Sequence, residues 1–383
     1  MKILHVIATM SPQRGGVSQA VRNIILDNHF CNHEVVCMDE IAIDYGVVDK
    51  FLIHKVGPGK TAYQYNPDLK KWLSANIINY SHVVVHGIWQ YHNFATYQVI
   101  KNLVTRPKLL IMPHGMLDPY FQKAAGRKFK AFRNRIIWFV TEKSALNSAD
   151  AVLYTCDEEL LLARDTFPGY RPKQEFNVGL GVLAPPDENE IMHIDFRKKA
   201  AFSGRYWLYL SRLHPKKGVK QLIEAYIDLE CLDPNLPFLV IAGPLDDDYA
   251  KMMKSLASKN SKIIFVGMIT GNAKWGAFYG CDAFILPSFQ ENFGIAIVEA
   301  MACKKPVVIT RHINIWREII DGDGGIVLDN INVESIKKVF CHLESLPKKI
   351  LHVKGEKAFD TYKTYFDLKE CAKRFVTQLE TLV

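Results

Sequence analysis

Two successive series of short, apolar, β-branched runs, each run followed by a helical pattern, constrain this chain more than any other feature. The first series is Ile3–Ala8, Glu34–Met38, Val83–His86, Leu109–Met112 and Ala151–Tyr154, with helical stretches such as 17–28 and 127–147 between them. The second is Trp207–Leu210, Phe238–Ile241, Ile263–Val266, Ala283–Leu286, Val307–Ile309 and Ile326–Leu328, interleaved with helical patterns over 219–229, 249–258, 295–302 and 333–345. Strand–helix alternation predicts parallel sheets with helices on both faces. Between the series, A-P-P-D-E-N-E-I-M-H-I-D-F-R-K-K breaks the pattern with two prolines and a charge run, the expected linker over 183–200. The expected fold class is α/β: a Rossmann-like domain over 1–182 and a second over 201–365, facing an interdomain cleft. A length of 383 residues agrees, being too long for one such core. Open parallel sheets bind ligands beyond the carboxyl ends of their strands, so the chemistry is expected in the loops that follow strands.

Charge narrows the partners. The net charge is +8, and residues 1–180 hold 21 basic and 15 acidic residues against 27 and 25 in the remainder. An excess confined to one half suits anionic ligands there, not a nucleic-acid protein basic throughout. Eight scattered cysteines without a C-x-x-C pair point to buried thiols in a reducing compartment. No apolar run approaches the ~20 residues of a spanning helix. The opening M-K-I-L-H-V-I-A-T-M contains His5 and lacks a cleavage site, so it is not read as a signal peptide. The expected location is cytoplasmic, with contact at the inner face of the plasma membrane open.

Gly15 and Gly16 precede an amphipathic helix and let backbone N–H groups approach a phosphate, though an ordinary glycine turn reads the same way. The loop is not G-x-G-x-x-G, which argues against an NAD-dependent oxidoreductase. His114, followed by Gly115 after a strand, is placed to donate to a sugar hydroxyl, with a satisfied loop histidine as the alternative. His86 and His92 lack the further ligands of a metal site. In W-L-Y-L-S-R-L-H-P-K-K-G, Arg212 follows a strand and Lys217 opens a helix, a pair of cations suited to a diphosphate, with a solvated basic loop as the alternative. In A-F-I-L-P-S-F-Q-E-N-F-G-I-A-I-V-E-A-M, Glu291, Asn292, Phe293 and Gly294 lie on a loop, and Glu299 sits among apolar neighbours on the next helix. A buried carboxylate there needs partners, and two ribose hydroxyls would supply them.

Glu291 and Glu299, eight apart around N-F-G-I-A-I-V, resemble the E-x7-E motif of retaining glycosyltransferases of family 4, which have the GT-B fold. The Gly15-Gly16 loop, His114-Gly115, Arg212 with Lys217-Gly218 and the helix F-D-L-K-E-C-A-K-R-F extend the resemblance over most of the chain. The resemblance implies a donor-binding second domain. Arg212 and Lys217 would stabilise the leaving diphosphate, Glu299 hold the ribose, Glu291 contact the donor sugar, and His114 sit beside the sugar being transferred. Gly267, Met268 and Ile269 would clasp the base through backbone groups, and residues 366–383 would return to the first domain. The implied partners are a UDP-sugar, UDP-glucose foremost, and a glycan or lipid-linked saccharide acceptor in exopolysaccharide or envelope synthesis. F-N-V-G-L-G-V stands where many relatives have I-P-N-G.

Asp246, Asp247 and Asp248 contain a D-x-D pattern that ligates metal in the other major glycosyltransferase fold. Here it is read as an acidic cluster at a helix N-terminus, so neither metal nor cofactor is expected. Lys123, Arg127, Lys128, Lys130, Arg133 and Arg135, interleaved with Phe129, Phe132 and Ile136, form either a solvated helix face or a patch for anionic lipid. A sugar-nucleotide epimerase of the same fold and a non-catalytic sugar-nucleotide binding protein are the rival readings.

Overall fold

The computed structural model describes residues 1–12, 16–26, 28–123, 128–231, 233 and 235–382. The chain divides into two compact units, Met1–Gly181 with Leu368–Val383, and Val182–Asp367. Unit 1 holds a parallel sheet of β1 (Lys2–Ile7), β2 (Asn32–Cys37), β3 (Leu52–Lys55), β4 (His82–His86), β5 (Lys108–Met112), β6 (Ala151–Tyr154) and β7 (Glu175–Asn177), in the order β3-β2-β1-β4-β5-β6-β7. Unit 2 holds β8 (Tyr206–Leu210), β9 (Phe238–Ala242), β10 (Ile263–Gly267), β11 (Ala283–Ile285), β12 (Val307–Thr310) and β13 (Gly325–Leu328), in the order β10-β9-β8-β11-β12-β13. Both are Rossmann-like α/β units. In each, the strand order reverses beside the first strand, so the switch points lie between β1 and β4 and between β8 and β11.

Every strand expected from the sequence is present, and β3 and β7 are additional edge strands. They are short and only partly buried, so they lack the continuous apolar run that marks a central parallel strand. In unit 1, Leu4, Val6, Val36, Val83 and Val85 point to one face of the sheet, and Ile7, Val35 and Cys37 to the other, against Val21 and Ile25. In unit 2 the Trp207 ring lies flat on Phe340, with centroids 4.6 Å apart.

The expected linker needs correction. Residues Glu190–Ala200 form a helix of unit 2, capped where the Asn189 side chain accepts from the Met192 N–H at 3.2 Å. Met192, Phe196 and Ala200, four apart, are its buried stripe, and the charge run is its solvated face. Its backbone comes so close to the helix Gly271–Gly280 that a Cβ at Gly276 would lie 2.0 Å from the Met192 carbonyl oxygen. Val182 also belongs to unit 2, and Leu368–Glu380 is the helix that belongs to unit 1. There the departure G-L-G has a packing reason: a Cβ at Gly181 would lie 2.7 Å from the Leu368 Cα. Cys37, Cys156, Cys281, Cys303 and Cys371 are buried thiols, and Cys231 and Cys341 are exposed. Among the described residues no helix is long and apolar enough to cross a membrane.

Candidate active site

At the switch point of unit 2, three loops are stitched together beyond the strand ends. Gly218 follows a one-turn helix, Pro215–Lys217, whose first turn is capped by the His214 side chain. Gly218 has φ +69°, and a Cβ there would lie 2.0 Å from the Pro287 carbonyl oxygen, so only glycine lets the two loops meet. Phe289 N–H donates to the Lys216 carbonyl at 2.7 Å. Glu291 N–H donates to the His312 carbonyl, and Asn314 N–H donates to the Glu291 carbonyl, both at 3.0 Å. This framework brings the Lys217 ammonium and the Glu291 carboxylate into direct contact, with side chains only 11% and 14% exposed. Burial lowers the Lys217 pKa, and Glu291 opposes that shift. Lys216 lies 3.7 Å from the same carboxylate. Arg212 is exposed, its carbonyl accepting from the Tyr209 hydroxyl at 3.4 Å.

Glu299 lies in the helix Ile295–Ala302, which Gly294 starts at φ +80°. Its carboxylate is 13% exposed and pairs with Lys274 at 2.6 Å. Burial raises its pKa, and Lys274 opposes the rise. The partner that the sequence assigned to ribose hydroxyls is therefore a lysine here. Lys274 escaped the sequence reading because it lies on another helix, in G-N-A-K-W, with no local signal beyond its neighbour Trp275, over whose ring it sits at 4.6 Å.

The other residues that the sequence resemblance assigns to a donor divide by which atoms they offer. Phe293 is buried edge-on against Phe366, with ring centroids 5.5 Å apart. The Asn292 amide oxygen accepts from the Asn314 side chain at 3.2 Å. Gly267 ends β10 at φ +71° and its carbonyl accepts from Gly243 N–H at 3.0 Å. Ile269 is buried, and the Met268 side chain is exposed while its carbonyl takes the Lys199 ammonium. Asp247 caps the helix Asp248–Ala257, accepting from Ala250 N–H at 2.7 Å. Among the described residues no cluster of three or more His, Cys, Asp or Glu is arranged to hold a metal ion.

His114 belongs to unit 1, with the Gly loop. Gly15 lies outside the described residues; Gly16 opens the helix Gly16–Ile25 with free space where a Cβ would be. Next to it a cavity of 490 Å³ sits beyond the ends of β1, β2 and β4, lined among others by Thr9, Ser11, Ser18, Asp39 and His86. Asp39 accepts from Thr9 Oγ1 at 2.6 Å, Met10 N–H at 2.8 Å and the Tyr45 hydroxyl at 2.7 Å. His114 has φ +53°, a strained conformation for a non-glycine residue. Its turn is held by Glu159, which accepts from Gly115 N–H, Thr155 N–H and Thr155 Oγ1. His86 bonds His114 at 2.9 Å, and the His92 Nε2 bonds the His86 carbonyl at 2.9 Å, so the histidines have protein partners.

Residues 193–358 match the family model for glycosyl transferases group 1. The match includes Arg212, Lys217, Lys274, Glu291 and Glu299. The chain is 27% identical over 155 residues to O-antigen chain mannosyltransferase B of Escherichia coli, covering 40% of either chain. It thus spans less than half the length of that curated relative. Over the whole chain the fold is similar to Anabaena Alr3699/HepE in complex with UDP, with a TM-score of 0.78 and 16% identity over 100% of both chains. The same protein solved with UDP-glucose gives a TM-score of 0.75 and 17% identity, also over 100% of both chains. Sucrose-phosphate synthase from Thermosynechococcus elongatus gives 0.76 and 16% identity over 100% of this chain and 99% of that one. These neighbours are two-domain GT-B glycosyltransferases, and the fold of this chain is of that kind.

Proposed function

We propose that the protein is a retaining glycosyltransferase of family 4 that moves a hexosyl unit from a UDP-sugar, UDP-glucose foremost, to a glycan or lipid-linked saccharide. The observation that carries this reading is the paired arrangement Lys217–Glu291 and Lys274–Glu299 around the switch point of unit 2. An ammonium held at low exposure beside a carboxylate is poised to exchange part of that partnership for a diphosphate. The group 1 match and the UDP-bound neighbour support the same ligand class.

In this reading unit 2 takes the donor and unit 1 the acceptor. The bond from the anomeric carbon to the diphosphate breaks, and its electron pair leaves with the phosphate oxygen. The acceptor oxygen bonds to the same face of that carbon, and its proton passes to the departing phosphate. Lys217 and Arg212 stabilise the charge as it grows, Glu299 binds the ribose, and Glu291 orients the donor sugar. No metal is required, because these cations neutralise the diphosphate. The setting is synthesis of exopolysaccharide or envelope glycan in the cytoplasm, at the inner face of the plasma membrane. The helix Lys128–Ile137 supports that setting: Phe129, Phe132 and Ile136 are exposed among Lys130, Arg133 and Arg135. Sedimentation with liposomes should show preference for anionic lipid.

The test is calorimetric titration, in EDTA, of UDP, GDP, ADP, NAD and a panel of UDP-sugars, followed by product analysis with candidate acceptors. Selective UDP binding that weakens in Glu299→Ala is expected. A folded protein that binds no diphosphate nucleotide would sink the reading, and an epimerised donor without a new glycosidic bond would replace it.

A further inference from the structure

Three buried histidines of unit 1 have no part in the chemistry above. His5 on β1, His33 on β2 and His86 on β4 share one face of the sheet, because each sits an even number of residues from the register partners Ile3–His33 and Ile7–His86. They run in single file to His114. His33 Nδ1 lies 2.9 Å from His5 Nε2, His5 Nδ1 lies 2.8 Å from His86 Nε2, and His86 Nδ1 lies 2.9 Å from His114 Nε2. Successive ring centroids are 5.1, 5.1 and 5.2 Å apart, and Phe375 of the C-terminal helix closes over His5 at 6.5 Å.

Burial keeps these rings neutral. It holds His5 and His86 well below the usual 6.5, and His33 and His114 down at about 4. Four neutral imidazoles carry four ring N–H groups, and three nitrogen–nitrogen contacts use one each. The fourth must sit at one end of the file, on His33 Nε2 or on His114 Nδ1. His33 Nε2 is buried with no hydrogen-bond partner among the described residues. An N–H left there would be an orphaned donor, whereas at half-buried His114 it can reach solvent or a ligand. A bare buried ring nitrogen is already accepted nearby: His92 donates from Nε2 to the His86 carbonyl and leaves Nδ1 without a partner among the described residues.

We propose that the file His33–His5–His86 fixes His114 as a neutral hydrogen-bond donor with its hydrogen on Nδ1, His86 acting as the positioning residue. All three hydrogens then point the same way along the file, each bond polarising the next. The Glu159-held turn fixes the backbone at His114 and the file fixes its ring. What the Nδ1–H meets rests on the transferase reading: a hydroxyl oxygen of the sugar being transferred.

Nitrogen-15 NMR of histidine-labelled full-length protein at neutral pH reads the tautomer directly, with no substrate present. His114 protonated on Nδ1 is expected; protonation on Nε2, or a cationic ring, overturns the proposal. His86→Leu should leave His114 in mixed tautomers and lower kcat roughly 10–100-fold, while donor KM stays within about twofold. His86→Gln should recover much of both, since its amide can accept from His5 and donate to His114. His33→Phe, at the edge of the file, disturbs the fold least and should also release a minor tautomer at His114. If neither His86→Leu nor His33→Phe alters the His114 tautomer, the file does not position it. A folded protein with Nδ1-protonated His114 that binds no nucleotide would refute the transferase reading and leave the file standing.

Discussion

The two units bury polar groups at their switch points in opposite ways. Unit 1 uses imidazoles that give up their charge, and unit 2 uses lysine–carboxylate pairs that keep it. A buried charge is costly unless paired and hydrogen-bonded, so a lysine must bring a carboxylate with it, whereas an imidazole can simply stay neutral. The consequence is a division of labour. A neutral file can orient a donor but cannot offset a growing negative charge. An ion pair can, because an incoming anion meets an ammonium already in place. If the comparison holds, removing a charge in unit 2 should hurt catalysis far more than loosening the file in unit 1.

The largest expected effect is at Lys217. Lys217→Met should lower kcat by roughly 10²–10³, the scale on which a preorganised charge-stabilising donor contributes. It also strands Glu291, so circular dichroism should accompany the kinetics. A kcat within tenfold of wild type would remove Lys217 from the chemistry and with it the contrast between the units.

Lys274 tests whether the second pair is truly buried. Lys274→Met leaves the Glu299 carboxylate without its 2.6 Å partner and should cost unit 2 about 3 kcal/mol in denaturant unfolding. Adding Glu299→Leu should recover most of that stability and still abolish nucleotide binding. A neutral single variant would mean that water satisfies Glu299 and the pair is interchangeable with solvent.

Both sheets are legible because central parallel strands are continuous apolar runs; the loops after two such runs single out Lys217 and Glu291, which the fold pairs, and apolar neighbours single out Glu299, whose carboxylate is largely buried. What escaped the sequence depends on pairing at a distance. Lys274 meets Glu299 from another helix, and His5 and His33 lie inside strands where a polar residue gives no local sign of its partners. The helix over 190–200 is hidden in the sequence because three buried positions, Met192, Phe196 and Ala200, are too few to outweigh two prolines and a charge run. Those same three residues suffice in the fold, since they pack on a helix made flat by Gly276.

The neutral buried histidines of unit 1 have a signature in pH. Below 6.5 the unfolded chain takes up protons that folded His33, His92 and His114 refuse until about 4, so stability falls as pH drops through that window. Glu142 works the other way. Burial raises its carboxyl to about 7 against the pull of the Asn93 amide and Trp89 N–H bonds, so it costs stability as pH rises from 4.5. With the histidines outnumbering it, unit 1 should lose on the order of 1–2 kcal/mol between pH 7.5 and 6. Thermal melts of His92→Gln and Glu142→Gln separate the two: the first should flatten the slope and the second steepen it. A Glu142→Gln melt that rises on acidification would show that the histidines are charged when folded.

The smallest effect belongs to Asp247, and it tests whether positive charge in unit 2 is supplied by lysine and arginine side chains alone. As a helix cap its carboxylate is occupied by the Ala250 N–H, so Asp247→Ala should cost about 1 kcal/mol of stability. Turnover should stay near wild type, in EDTA as well as in magnesium. Loss of turnover in the variant, together with a wild type that needs magnesium, would reassign the acidic cluster to a metal. The diphosphate would then be neutralised by a cation drawn from solution, and Lys217 and Lys274 would be left to orient their carboxylates.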